Sequence, residues 1–451
     1  MARLTRRRVL GLGGAAALSL AVGCRPRAAR AERPNVLLVT LDTTRADHLG
    51  CYGYARPTSP ALDAIANDGL VYTRAVAPGT WTLPSHASLF TGKVPTSHGA
   101  RYDPNGSLVL TSAIPNRPGL SGYRVRGVLP TETTLAGVLA RAGYRTGGAA
   151  GGPWLKKVFG LGTGFEWWDD DDIGSVNGRS AADLNARALP WLDAVAEPFM
   201  LFLNYFDAHA PLQPPPDYAA RFLSEPVAPG ARRSPEQVLA LYDAEISYAD
   251  HHLGEIVALL KRRGLYDRTW IIVTSDHGEL FGEHGARGHG NQPYQEVLHV
   301  PFVSKPPRGD HGPGVRAEWV QLTDVMPLVL ERLGLPRPEG IQGGIPPKLG
   351  RPVMAESYVL QALNTTGDWL AIIDGDWKLM WNSQGRSELY DLAKDPREET
   401  NLVARQPERV AALERVMNGY LAQLPRSQDT APAREVDAAT REALKSLGYL
   451  H

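Results

Sequence analysis

Three apolar runs, each ending abruptly in acids or histidines, constrain this chain more than any other feature of its sequence. NVLLVTL (Asn35–Leu41) runs into Asp42, FMLFLNY (Phe199–Tyr205) into Asp207 and His209, and WIIVT (270–274) into Asp276 and His277. Each run is short, β-branched or aromatic, and apolar at successive positions, the pattern of a strand buried on both faces of a sheet. A weaker fourth run covers 143–150. Helical patterns lie between them at 58–68, 134–142 and 235–263, the last with Leu241, Leu253, Ile256 and Leu260 on one side. Strands alternating with helices predict an α/β fold, a large, mostly parallel central sheet sandwiched by helices. Ligands of such sheets bind beyond the carboxyl ends of the strands. Acids and histidines delivered to that end by three separate strands predict a polar site there.

The 48 basic and 48 acidic side chains of the 451 residues cancel, but they are unevenly placed. Residues 1–33 hold eight arginines and one acid, Glu32, so the remainder carries a net −7. A mildly acidic body has no basic stripe with which to displace the counterions of nucleic acid, and nucleic acid is not expected as a partner. Within the basic segment, Arg6-Arg7-Arg8 precedes an apolar run from Val9 to Val22, too short to span a bilayer but sized for an export signal. The paired arginines resemble a twin-arginine signal. LAVGC, ending at Cys24, resembles a lipobox, which would make Cys24 the lipidated first residue of the mature chain; a plain signal cut near Ala29 or Ala31 is the alternative. Either way the protein is expected to be exported, periplasmic or at the cell surface, and to touch a membrane only through a lipid on Cys24. Cys51 would then be left without a disulfide partner.

After about residue 340 the pattern changes. Short strands at Trp369–Asp374, 376–381 and 387–392, separated by Asp-Gly and Ser-Gln-Gly turns, predict an antiparallel meander, followed by helices at 407–424 and 437–447. The expected organisation is an export signal and linker (1–33), an α/β domain (34–340) and a C-terminal α+β subdomain (341–451).

In TWTLPSHASLFTG (80–92) a polar loop enters an apolar helix, with Pro84 in the first turn. The hydroxyl of Thr82 therefore sits at a helix N-terminus, where free amides and the macrodipole favour an anion. Alone, that hydroxyl is a cap. The histidines, taken singly, are structural; yet four of the twelve fall between residues 277 and 299.

These segments together resemble the sulfatase family of the alkaline-phosphatase superfamily. TLPSHASLFTG followed by KVPTSHG stands where the family has its nucleophile helix, with Thr82 at the nucleophile position. LLVTLDTTRADHLGCYG resembles the first metal strand, FDAHAPLQPP the central histidine segment, SDHGELFGEHG with GHGNQPYQEVLHVPF the second metal segment, and GDWKLM with ELYDLAKDPREETNL the C-terminal subdomain. The resemblance implies a catalytic domain over 34–340. It also implies one divalent metal ion, held by Asp42, Asp276, His277 and the Thr82 oxygen; Ca²⁺, Mg²⁺ and Mn²⁺ suit such carboxylate-rich ligands, and Zn²⁺ is admissible. It implies that His209 and His289 serve the substrate's oxygens, as imidazoles suited to work near neutral pH, and that His86, in the position of the family's arginine, supports the nucleophile. Asp207 and His98 are read as loop-fixing residues, as are Glu279, Glu283 and His284. The acidic stretch 169–172 is read as a solvated turn, and Trp81 as either packing or lining a leaving-group pocket.

Four departures from the family pattern bear on the chemistry. Thr82 replaces the Cys or Ser that sulfatases convert to formylglycine, and its Cβ methyl forbids that aldehyde. Thr43 stands where a second metal aspartate is usual, and His277 where Asn is usual. Gly151-Gly152-Pro153-Trp154 replaces the basic Gly-Lys-Trp-His segment, unless Lys156 or Lys157 substitutes. The expected activity is metal-dependent hydrolysis of an anionic ester, sulfuric or phosphoric, with a phosphodiester preferred because a threonine alkoxide attacks phosphorus and the phosphoenzyme is opened by water. The partner would be a small anionic ester, a glycan or a lipid headgroup. The alternatives are transfer of a phosphorylated headgroup in the cell envelope and a non-catalytic binding protein.

Overall fold

The computed structural model describes residues 33–110, 124–173, 178–228, 230–310, 312–345, 352–358, 366–427 and 431–446. Cys24 and the expected export signal lie outside the described residues. Residues 34–451 form one unit.

Its central sheet has eight strands: β1 Asn35–Leu41, β2 Leu70–Val76, β3 Arg145–Ala149, β4 Trp167–Asp169, β5 Phe199–Tyr205, β6 Thr269–Thr274, β7 Phe302–Lys305 and β8 Gly314–Gln321, in spatial order β8-β2-β7-β6-β1-β5-β3-β4. The pairs from β6 through β4 are parallel, whereas β7 is antiparallel to both its neighbours, so the sheet is mixed but mostly parallel. The period of two along β1 divides its side chains between two cores. Leu37, Val39 and Leu41 pack with helices α1 (Pro60–Asn67), α4 (Ala181–Ala194) and α5 (Pro235–Arg262). Val36 and Leu38 join the opposite core with α2 (Thr82–Thr91), α3 (Leu135–Arg141) and α6 (Val325–Arg332). A strand covered on both faces has no polar side, which is why its sequence reads as an unbroken apolar run.

The C-terminal sheet, β9 Val353–Ser357, β10 Trp369–Asp374, β11 Trp377–Asn382 and β12 Glu388–Asp391, is antiparallel throughout. The same alternation serves it. Trp369, Ala371 and Ile373 face the main core, while Leu370 and Ile372 lie under α7 (Pro407–Gln423) with Leu413 and Met417. The chain then returns to the α/β half: Arg434–Glu435 pair with Leu108–Val109, and α8 (Ala438–Ser446) packs on the turn at Pro153–Leu155. Among the described residues no helix is long and apolar enough to cross a membrane.

One expectation is corrected. The acidic stretch at 169–172 is not wholly a solvated turn, because Trp167–Asp169 is strand β4 and Asp169 is buried in an ion pair with Arg179.

A second buried pair lies in the C-terminal part and is bonded across to the α/β part through Gln295. Lys378 Nζ lies 2.6 Å from Glu398 Oε1, both side chains fully buried, and Glu398 Oε2 accepts the backbone N–H of Gln295 at 2.7 Å. Removing one member strands the other charge in the interior. Lys378→Met is therefore expected to cost about 3–5 kcal/mol, measured by urea denaturation. The double variant Lys378→Met/Glu398→Gln should recover most of that loss, since Gln keeps the acceptor for Gln295.

Candidate active site

At the end of β1 the Asp42 N–H still donates to the Tyr205 carbonyl (2.8 Å), extending the ladder, and the chain then turns sharply at Thr43. Thr43 has φ +54°, a left-handed conformation that β-branched residues seldom adopt. It is held there from three sides. Its N–H donates to Asp276 Oδ1 (3.2 Å), its hydroxyl to the Asp42 carbonyl (2.7 Å), and Tyr242 donates its phenol to the Thr43 carbonyl (2.7 Å). The turn brings Asp42, from the end of β1, against Asp276, two residues beyond β6.

Both carboxylates are fully buried and only half satisfied. Asp42 Oδ2 accepts from Asn204 Nδ2 (3.2 Å), and Asp276 Oδ1 accepts the N–H groups of Thr43 and His277. Asp42 Oδ1 and Asp276 Oδ2 have no hydrogen-bond donor. Burial, and then the charge of Asp276, pushes the Asp42 carboxyl well above the usual range. Burial works the same way on Asp276, but His277, His86 and two backbone N–H groups together hold it below that range. His277 donates from Nδ1 to the Gly278 carbonyl (3.0 Å), which fixes the tautomer whose Nε2 carries a lone pair. That Nε2 lies 3.3 Å from Asp276 Oδ2. The ligand atoms of Asp42, Asp276 and His277 fall within 4.8 Å of one another. Two buried carboxylates with oxygens lacking donors, beside an imidazole lone pair, could hold a divalent cation.

Thr82 opens α2, fully buried, with its Oγ1 3.4 Å from His277 Nε2. One turn on, His86 Nδ1 donates to the Thr82 carbonyl (2.9 Å), and its Nε2 accepts from the Thr40 hydroxyl (3.0 Å). Thr40 in turn accepts from Asn204 Nδ2 (3.1 Å). His86 thus braces the first turn of the helix against β1 and β5 without touching the Thr82 hydroxyl.

His209 and His289 meet across the site, ring centroids 5.0 Å apart, and His289 lies 4.4 Å from His277. Each spends Nδ1 on an acceptor: His209 on the Ala210 carbonyl (2.6 Å), His289 on Glu279 Oε2 (3.0 Å). Burial pushes His209 down to about 3 and His289 to about 4, so both are neutral at pH 7 and do not titrate near neutrality as the sequence suggests. The strand Val353–Ser357 fixes the His289 loop: Thr80 donates its hydroxyl to Ser357 Oγ (2.9 Å), Ser357 donates to the Gly290 carbonyl (3.3 Å), and the Gly290 N–H donates to the Thr80 carbonyl (2.8 Å).

With carboxylates from two strand ends, an imidazole and a hydroxyl at a helix N-terminus in place, comparison with known proteins adds one decisive fact. The family model described as Sulfatase matches residues 34–335. The chain belongs to the sulfatase family. It is similar to an arylsulfatase of Clostridium perfringens, 24% identical with 82% of this chain and 90% of that protein covered. It is also similar to arylsulfatase A of Homo sapiens, 26% identical with 86% of each covered. Among solved structures it shares the fold of a phosphonate monoester hydrolase of Agrobacterium radiobacter, with a TM-score of 0.69 at 21% identity, covering 87% of this chain and 96% of the other. It shares it too with a protein solved in complex with its substrate D-glucosamine-2-N,6-O-disulfate, with a TM-score of 0.71 at 18% identity, covering 88% and 100%. The protein is a sulfatase-family ester hydrolase.

Several departures from the family pattern now have a physical setting. Thr43 turns its hydroxyl to the Asp42 carbonyl. Gly151 and Gly152 donate their N–H groups to Asn204 Oδ1 (3.2 Å each), and a Cβ on Gly151 would stand 2.5 Å from the Asn204 carbonyl oxygen. Lys157 is exposed and lies 3.4 Å from Asp170, and Lys156 is within charge range of Asp437. Trp81 is packed, stacked on Tyr102 at 4.3 Å and edge-on to Trp154 at 5.0 Å. His98 fixes its loop, bonded to Ser88 and to the Ala100 N–H, and Asp207 Oδ1 accepts the N–H of Ala181 at the start of α4. Glu279 does more than fix a loop, since it orients His289. Three positioning residues went unread in the sequence: Asn204, Thr40 and Ser357. A polar residue inside an otherwise apolar strand is the signal for the first two; Ser357 has none.

Proposed function

We propose that this sulfatase-family protein hydrolyses anionic esters with Thr82 as nucleophile at a divalent-metal centre, and that phosphodiesters are its preferred class. The observation that carries the reading is the Thr82 hydroxyl, at a helix N-terminus and beside the His277 Nε2, in front of two buried carboxylates with oxygens that lack donors. An ion held by Asp42, Asp276 and His277 would supply positive charge to the substrate's oxygens and lower the pKa of the Thr82 hydroxyl.

The protein's own groups account for the rest. Thr82 Oγ, its proton passing to solvent water, bonds to phosphorus as the bond to the leaving oxygen breaks. Water then attacks phosphorus of the Thr82 ester, releasing the product and restoring the hydroxyl. His209 and His289 are neutral in the free protein, but a bound anion beside the two rings favours the protonated imidazole. Either then donates a proton to the leaving oxygen. Glu279 and the Ala210 carbonyl hold the two rings for that task. A sulfated threonine has no formylglycine-type exit, which favours phosphorus over sulfur. A diester, with a single negative charge, is favoured by the lack of the family's basic segment after Gly151.

The test is a side-by-side assay of an aryl phosphodiester and the matching aryl sulfate, with Mn²⁺, Mg²⁺, Ca²⁺ or Zn²⁺ supplied. Faster cleavage of the diester is expected, and the reverse order would refute the phosphorus preference. The N-terminal segment supports export, with Cys24 as the lipid-attachment residue. Mass spectrometry of the mature N-terminus should find a diacylglyceryl group on Cys24, and an unmodified terminus near Ala29 or Ala31 would replace that reading with a plain signal.

A further inference from the structure

Beyond the active site, one other set of metal-ligating side chains converges among the described residues. His251, His252 and Glu255 lie along α5, with one ligand atom from each within 4.8 Å of the others. Residues three and four apart share a helix face, so one carboxylate can reach both rings. Glu255 Oε2 lies 2.8 Å from His252 Nδ1, and Oε1 lies 3.9 Å from His251 Nε2.

The carboxylate is not free to swing. Asn185, from α4, donates Nδ2 to Glu255 Oε2 (2.9 Å) and to the His252 carbonyl (2.8 Å). Its Oδ1 accepts the Tyr205 hydroxyl (2.7 Å), which settles the orientation of the amide. Such outer contacts are what hold metal ligands in place. Tyr248 stands edge-on to His252 at 4.7 Å and Tyr218 edge-on to His251 at 6.2 Å, walling the two rings. The His251 side chain is 56% exposed, which leaves an approach for an ion and its waters.

We propose that His251, His252 and Glu255 form a second divalent-metal site, separate from the Asp42–Asp276–His277 centre and selective for Zn²⁺ and its neighbours Co²⁺, Ni²⁺ and Cu²⁺. Two imidazoles and one carboxylate, completed by water, suit those ions, whereas Ca²⁺ and Mg²⁺ require mostly oxygen ligands. Binding ties α5 to α4 through Asn185. The site does not depend on the activity proposed above.

The experiment uses metal-stripped full-length protein carrying Asp42→Asn to weaken the active centre, titrated calorimetrically with Zn²⁺. Adding His251→Gln or Glu255→Gln to that protein is expected to remove one equivalent of Zn²⁺ or weaken it at least tenfold, while 1 mM Mg²⁺ does not compete. Co²⁺ should give visible d–d absorption that disappears with His251→Gln; His251 is exposed, so its replacement does not endanger folding. Equal stoichiometry and affinity with and without His251→Gln, or no Zn²⁺ bound once Asp42 is replaced, would overturn the site.

Discussion

Thr82→Ala is expected to lower turnover of whatever ester the protein cleaves by about 10³-fold or more, the scale on which enzymes lose rate when their nucleophile is removed. The rest of the site should survive. His86 bonds to the carbonyl of residue 82, which alanine keeps, and the hydroxyl's own partner, His277 Nε2, is at 3.4 Å. Alanine also favours the helix. The orphan oxygens of Asp42 and Asp276 and the His277 ring remain, so the variant should keep a metal content close to that of wild type and melt within a few degrees of it. Turnover, metal content and melting temperature, read together, separate loss of a nucleophile from loss of structure. Undiminished turnover would remove Thr82 from the mechanism.

The second large effect concerns the carboxylate pair. Without a cation, Asp42 and Asp276 repel each other in a buried site, and Asp42 carries the cost as a raised pKa, through burial first and Asp276 second. Asp42→Asn relieves that repulsion. It should leave the metal-free protein as stable as wild type or more so, yet abolish activity. An ion at 100 times its dissociation constant adds about 2.7 kcal/mol to a protein that binds it only when folded. Thermal melts with and without Mn²⁺ or Ca²⁺ should therefore show stabilisation of wild type and little or none of Asp42→Asn. Chelation should abolish wild-type activity, and restoring the ion should return it. If both proteins respond equally to metal, Asp42 is not a ligand.

Much of this arrangement was legible in the sequence because it is built at strand ends. β1 and β5 have the bounds their apolar runs suggest, and each hands over to the polar residues of the site. Phe302–Lys305 was not legible, since four residues ending in Ser-Lys carry no periodicity, and it is this strand that makes the sheet mixed. Gly314–Gln321 was missed for the opposite reason: as an edge strand it exposes Val315, Arg316 and Ala317, and no alternation emerges. Within the site, Asp42, Asp276 and His277 follow from the runs that precede them, whereas Thr82 read alone is a helix cap and is singled out only by the family resemblance. Ser357 meets Thr80 across 277 positions, a contact that no local pattern encodes. The tautomers of His209 and His289, and their low pKa values, depend on burial and on partners that exist only once the chain has closed.

The seam from Thr80 through Ser357 to Gly290, reinforced by the bond from Gln295 to Glu398, sets a timetable for biosynthesis. Thr82 and both aspartates leave the ribosome first, but the residues that lock the His289 loop beside them come from the last quarter of the chain. Domains fold as units as they emerge, and here the unit is unfinished until residue 398 has been made. Locking of the His289 loop would thus mark completed translation: a nascent chain stopped short of the C-terminal sheet lacks the Ser357 and Glu398 bonds that secure it.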